Sequence, residues 1–182
     1  MDKQLHKIAR KACSKVYHDN IDLGTTEFQT SHVEYNGDLI QVIAIAGTNE
    51  ARDWGENFKL WSTKGIKKAA VDAAREVSKN VYLSGRKLLI CGHSKAGATA
   101  IAYKRLFGAN WCIAFSPARS LRYWADRVME NTTIFIDPDD PVPKFGALSF
   151  GHPICTVVES QENHFGLCVG DHSMDQWEEF LA

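Results

Sequence analysis

The sequence predicts an α/β layered domain, a mostly parallel central sheet with helices on both faces. Two observations carry this. From about residue 40 onward, short apolar runs of strand length alternate with longer runs of helical period, the order of βαβ units. The run LIQVIAIAG is almost wholly apolar, as expected of a strand inside a sheet rather than at its edge. A chain of 182 residues, 45% apolar and 24% charged, suffices for one globular domain, expected to span residues 1–182.

The elements follow in order. Leu5, Ile8, Ala12 and Val16 recur at the period of an amphipathic helix, which predicts one over residues 2–18. FQTSHVEY and LIQVIAIAG flank Asn36-Gly37-Asp38. Asn-Gly tolerates positive φ at both central turn positions, so a β-hairpin is expected. Arg52–Trp61 reads as a short helix and Gly65–Leu83 as a longer, alanine-rich one. Lys87–Cys91 is a short buried strand, Lys95–Phe107 a helix of small residues, and Trp111–Ser116 a strand. Leu121, Trp124, Ala125 and Val128 share one helical face, so Ser120–Glu130 is expected to be helical. Thr132–Ile136 is a strand running into the proline-rich loop DPDDPVPKFG, and Ile154–Glu159 is another strand. Ser173 and Gln176 form a capping box that opens a terminal helix.

Composition narrows the function classes. A net charge of −1 provides no basic field for nucleic acid or an anionic membrane surface. Lys64, Lys67, Lys68, Arg75 and Lys79 are interleaved with alanines at helical spacing and read as a solvated face. The polar N-terminus lacks the apolar core of a secretory signal. No apolar run approaches the roughly 20 residues that span a bilayer. The cysteines at 13, 91, 112, 155 and 168 are irregularly spaced, two of them inside apolar strands. Buried, reduced thiols in a cytoplasmic protein are expected.

The strongest local signal is Gly92-His93-Ser94-Lys95-Ala96-Gly97 between an apolar strand and a small-residue helix. This is the context of a nucleophile elbow, in which a serine on a sharp strand-to-helix turn has tiny neighbours because the turn crowds them. The pattern is G-x-S-x-A with Gly97 next, one methyl away from the usual G-x-S-x-G. The helix beginning at Lys95 points its N-terminus at the serine, so the Lys95 backbone N–H can donate to an oxyanion.

A serine hydroxyl needs a base, and the base an orienting acid. On the α/β-hydrolase fold the chain order is serine, acid, histidine. The strand TTIFI runs into Asp137-Pro-Asp139-Asp140, and His172 immediately precedes the Ser173 cap. Position alone does not choose among Asp137, Asp139 and Asp140.

At this point the sequence resembles the class 3 lipases, the fungal-lipase-like branch of the α/β-hydrolases, from about residue 42 to the end. VIAIAGTNEARDWGENF is similar to that family's apolar strand with Gly-Thr and a following Asp-Trp; GHSKAGATA to its elbow; DPVP to its Asp-x-Val-Pro; FGHPICTVV to a strand entry; DHSM to its histidine segment. Lysine after the serine resembles a bacterial subgroup with GHSKGG. The resemblance implies Ser94 as nucleophile, Asp140 as acid and His172 as base. It further implies Thr48 as the second oxyanion donor and Asn57 as the residue that orients it. Trp54 is then a packing residue and His93 a structural one, while His152 sits before a strand, the wrong place for a base. The substrate implied is a small-molecule or lipid ester, cleaved through an acyl-enzyme without a cofactor. Phospholipase, thioesterase and amidase chemistry would use the same machinery.

Two departures from the family matter. Ala96 stands where glycine is usual. The stretch Phe58–Lys64, where the lipases carry a mobile lid, is very short, so an esterase with an open site is expected, unless Pro117–Trp124 supplies a cover. Two rival readings are weaker. His164, Cys168 and His172, with His152 and Cys155 nearby, could ligate zinc on a helix, but Gly166 and Gly170 interrupt one and no Cys-x-x-Cys pair exists. A binding protein that has lost the chemistry is disfavoured by the presence of all three triad residue types and Thr48.

Overall fold

A computed structural model of the chain describes residues 2–18, 28–46, 63–80, 85–119, 121–122, 128–140, 142–144, 150–160 and 177. The first helix, α1, covers Lys3–His18. Its start is capped by Asp2, whose Oδ1 accepts from the Gln4 N–H at 3.0 Å. The strands β1, Phe28–Tyr35, and β2, Asp38–Ile45, form the expected hairpin. Asn36 and Gly37 both take positive φ, 51° and 80°, the geometry that an Asn-Gly turn supplies to a right-twisted strand pair.

Helix α2, Thr63–Asn80, starts slightly before the expected Gly65 and leads into β3, Leu88–His93. Helix α3, Lys95–Phe107, and strand β4, Trp111–Phe115, fall where the sequence places them. Gly108, at φ 76°, ends α3 by donating its N–H to the Lys104 carbonyl at 3.1 Å. Beyond β4 come β5 (Leu121–Arg122), β6 (Val128–Ile136), a 3-10 turn at Val142–Lys144, β7 (Phe150–Gly151) and β8 (Ile154–Glu159).

The expected helix over Ser120–Glu130 is corrected at its described residues. Leu121 and Arg122 pair antiparallel with Gly151 and Phe150, and Val128 already belongs to β6, opposite Ile154. The helical spacing of Leu121, Trp124, Ala125 and Val128 is overridden by strand pairing with residues far along the chain. Asn131, at φ 52°, lies within a register irregularity of β6, a local bend that no helix would contain. The expected helices at Arg52–Trp61 and from Ser173 lie outside the described residues, except for Trp177, which is helical.

Strands β1-β2-β3-β4-β6-β8 form a six-stranded sheet in that order, antiparallel between β1 and β2 and parallel elsewhere. Strand alternation sorts the core into two layers. Ile43, Ile45, Leu88, Ile90, Ala114 and Ile134 face α2 and α3. Val42, Ala44, Leu89, Cys91, Ile113, Phe115 and Phe135 face α1 and Trp177. Each large apolar side chain buried this way contributes about 1.5–3 kcal/mol. On the α1 side Phe115 stacks on Phe135 at 5.0 Å and Trp177 packs against both rings. His6 of α1 crosses to the sheet, its Nε2 at 3.3 Å from Thr133 Oγ1.

The consequence for function lies in the parallel strands. They all end at one edge, where a βα fold leaves its loops and its ligands. Ser94, Ser116, Asp137 and Ser160 are the first residues past β3, β4, β6 and β8.

Candidate active site

Ser94 sits between the end of β3 and the first residue of α3, at φ 59° and ψ −128°. A side chain at such a φ is strained by about 1–3 kcal/mol, and strain of this kind clusters at functional sites. Serine before a helix ordinarily caps it, its oxygen accepting from a first-turn N–H. Ser94 makes no such bond, so its hydroxyl is not spent on helix capping. The first bond of α3 runs from the Ala98 N–H to the Ser94 carbonyl at 3.2 Å. The N–H groups of Lys95, Ala96 and Gly97 therefore precede the helical ladder, at the positive end of the dipole. The Ser94 N–H itself is committed to the Phe115 carbonyl at 2.9 Å, continuing the β3–β4 ladder one residue past the strand. Lys95 is thus the nearer candidate for an oxyanion donor.

The elbow is as tight as its glycines suggest. A Cβ on Gly92 would stand 2.5 Å from the Ala96 carbonyl oxygen. A Cβ on Gly97 would stand 3.0 Å from Pro117 Cβ and 3.1 Å from the Gly92 oxygen. Ala96 is buried and its methyl fits, so the departure from the usual G-x-S-x-G falls at a position with room for it. His93 is buried on the strand face shared by Leu89 and Cys91, which α1 covers, in keeping with a structural role.

The acidic loop begins two strands away. His93 is level with Phe115, and Phe115 with Phe135, so Ser94 and Ile136 are separated by two strand spacings, about 10 Å. Asp137 Oδ1 accepts the Asp139 N–H at 2.8 Å, and the Asp137 carbonyl accepts the Asp140 N–H at 3.2 Å. Asp140 is fully buried, and its Oδ1 accepts the Val142 N–H at 2.8 Å. Asp137 is also buried, while Asp139 is partly exposed.

Ser94, Lys95 and Asp140 thus lie at the carboxyl edge of the sheet. Thr48, Asn57, Trp54 and His172 lie outside the described residues, as does Phe58–Ser62 of the short segment in the lid position. Among the described residues no group of three metal-ligating side chains converges, and His164 and Cys168 are not among them. Cys13, Cys91 and Cys112 are buried thiols and Cys155 is partly buried. Burial pushes the Cys155 thiol up to about 11. No helix among the described residues is long and apolar enough to cross a membrane.

The structure adds four residues that sequence reasoning did not assign to the site. Ser116, at φ 43° and fully buried, lies level with Ser94 one strand away, and Pro117 after it packs on Gly97. The only local signal was a proline directly after an apolar strand. Arg119 and His152 both reach the Pro143 carbonyl, through Nε at 3.0 Å and Nε2 at 3.2 Å. No sequence pattern announces that convergence.

Comparison with solved structures bears on the fold. The chain is similar to the Lip2 lipase of Yarrowia lipolytica, with a TM-score of 0.55 at 12% identity over 98% of this chain and 91% of that one. The fold is that of the α/β-hydrolases. A second likeness is to Rhizomucor miehei lipase in its propeptide complex, with a TM-score of 0.43 at 16% identity over 86% of this chain and 66% of that one. No model of a known protein family matches the sequence, and neither does any curated protein. In this chain Ser94, at positive φ, stands on the strand-to-helix turn between β3 and α3.

Proposed function

We propose that the protein is a carboxylic-ester hydrolase that works through an acyl-enzyme on Ser94. The observation that carries this reading is the backbone of Ser94, held at φ 59° on a turn with no room for a side chain at Gly92, with no capping bond from its hydroxyl. Strain without a capping role is what a presented nucleophile requires. The likeness to a lipase supports the reaction class.

In this mechanism the Ser94 hydroxyl attacks the ester carbonyl while His172 takes its proton. Asp140 holds the imidazole in the needed tautomer and stabilises the charge that develops. The backbone N–H groups of Lys95 and Thr48 bind the tetrahedral oxyanion, with Asn57 orienting Thr48. His172 then gives its proton to the leaving alcohol, and water repeats the sequence to free the acid. The substrate is a small-molecule or lipid ester.

The test is covalent labelling of the folded protein with a fluorophosphonate, read by mass spectrometry, alongside hydrolysis of p-nitrophenyl acetate. Labelling on the peptide that carries Ser94, with loss of turnover on the order of a thousandfold in Ser94→Ala, is expected. Normal turnover by folded Ser94→Ala overturns the reading.

A further inference from the structure

The turn that carries Asp140 is held from two sides. Val142–Lys144 forms one 3-10 turn, and the Val142 N–H fixes Asp140 Oδ1 at 2.8 Å. The next carbonyl, that of Pro143, accepts two donors. Arg119 Nε reaches it at 3.0 Å from the segment that follows β4. His152 Nε2 reaches it at 3.2 Å from the connection between β7 and β8. A carbonyl oxygen has two lone pairs, so both bonds form at once. Val142 and Pro143 are buried, and Val142 shares the core layer of Ala118, next to Arg119. A displacement of Pro143 therefore moves the Val142 N–H, and with it the carboxylate.

We propose that Arg119 and His152 are positioning residues: by donating together to the Pro143 carbonyl they hold the turn that aims the Asp140 carboxylate. The inference rests on the hydrolase reading of Ser94 and Asp140. The bond also assigns His152 a role that its place in the sequence hid. Its Nε2 carries the proton and serves as a donor, so it is not the nitrogen that would accept a proton from Ser94. Arg119 donates through Nε rather than through its terminal nitrogens. Lysine has no donor at that point of the chain, so Arg119→Lys removes the bond while keeping the charge.

A purely structural brace and a brace that acts through the acid differ in what they couple to. Arg119→Lys, His152→Ala and His152→Gln are compared in the full chain with and without Asp140→Asn. The measurements are kcat and KM for p-nitrophenyl acetate, the rate of fluorophosphonate labelling, and the thermal midpoint. Misplacement of the acid should lower kcat about tenfold to a hundredfold in Arg119→Lys and His152→Ala with little change in KM. Labelling should slow in step. His152→Gln restores a donor near Nε2 and should return most of kcat. In the Asp140→Asn background the same substitutions should cost almost nothing further, because the group they aim is already disabled. Equal losses with and without Asp140→Asn, or unchanged kcat in Arg119→Lys, overturn the proposal while leaving the hydrolase intact. Failure of the wild-type protein both to label and to hydrolyse ester overturns the hydrolase reading and this inference together.

Discussion

The carbonyl oxygen of Ala96 stands 2.5 Å from the point where a Cβ would sit on Gly92, with the Gly97 nitrogen 2.9 Å from the same point. Both neighbours are backbone at the start of α3, so neither can rotate away. Gly92→Ala should therefore destabilise by several kcal/mol or prevent folding, on the scale of overpacked core sites. Gly97→Ala, which meets the Pro117 ring carbon at 3.0 Å, should cost less. Chemical denaturation of the two variants orders them, and a Gly92→Ala protein as stable as wild type would contradict the elbow geometry.

Ser94→Gly and Ser94→Ala both remove the hydroxyl and differ only in a Cβ at φ 59°. Glycine relieves the strain that alanine retains, so Ser94→Gly should be the more stable by about 1 kcal/mol, after its greater freedom in the unfolded chain is set against the gain. Neither should turn over ester. Denaturant midpoints measure the difference, and equal stability would show that the turn is not strained.

Asp140→Asn keeps an oxygen for the Val142 N–H, so the turn should survive. The charge that stabilises an imidazolium is lost, and kcat should fall on the order of a thousandfold. Asp137→Asn likewise keeps its bond to the Asp139 N–H and should lose far less activity, as should Asp139→Asn. Steady-state kinetics decide the order. A larger loss at Asp137 would move the acid to that position.

Burial lowers the His6 pKa below its ordinary value, in a site where the ring meets Phe135 edge-on and bonds Thr133. In the unfolded chain His6 takes up a proton near pH 6.5; in the folded chain it does so only at lower pH. The unfolded state thus binds more protons as pH falls, so folding stability from this group is present above about pH 6.5 and declines below it. Replacing His6 with glutamine, which keeps a donor without titrating, should flatten the fall in thermal midpoint between about pH 7 and pH 5.5. Parallel curves for wild type and His6→Gln would show that His6 is not responsible.

The segment Phe58–Lys64 bears on substrate choice. Its last two residues belong to α2, which begins at Thr63, so even less chain is left there for a cover. A helical turn needs about 3.6 residues, and a cleft lid several turns. Short soluble esters should be cleaved with ordinary saturation kinetics and without a jump when substrate passes its solubility limit. Rate against concentration for a partly soluble triglyceride makes the test; a sharp rise on emulsion formation would reveal a cover supplied by another segment, such as Pro117–Trp124.

What the sequence by itself determined is local. Asn36-Gly37 set the hairpin because only a few residue types accept positive φ twice in succession. Lys95–Phe107 matched its helix because small residues and a closing Gly108 agree with the backbone they occupy. Gly92 marked the elbow because the turn leaves no room for a side chain there, with Ser94 two residues on at the start of the helix. The tertiary structure decided what depends on partners distant in the chain. Leu121, Arg122 and Val128 became strand because Gly151, Phe150 and Ile154 pair with them, and no local window contains those partners. Arg119 and His152 meet at Pro143 because the segment after β4 and the connection before β8 both reach the turn that follows β6, and an acceptor in space carries no periodicity along a sequence.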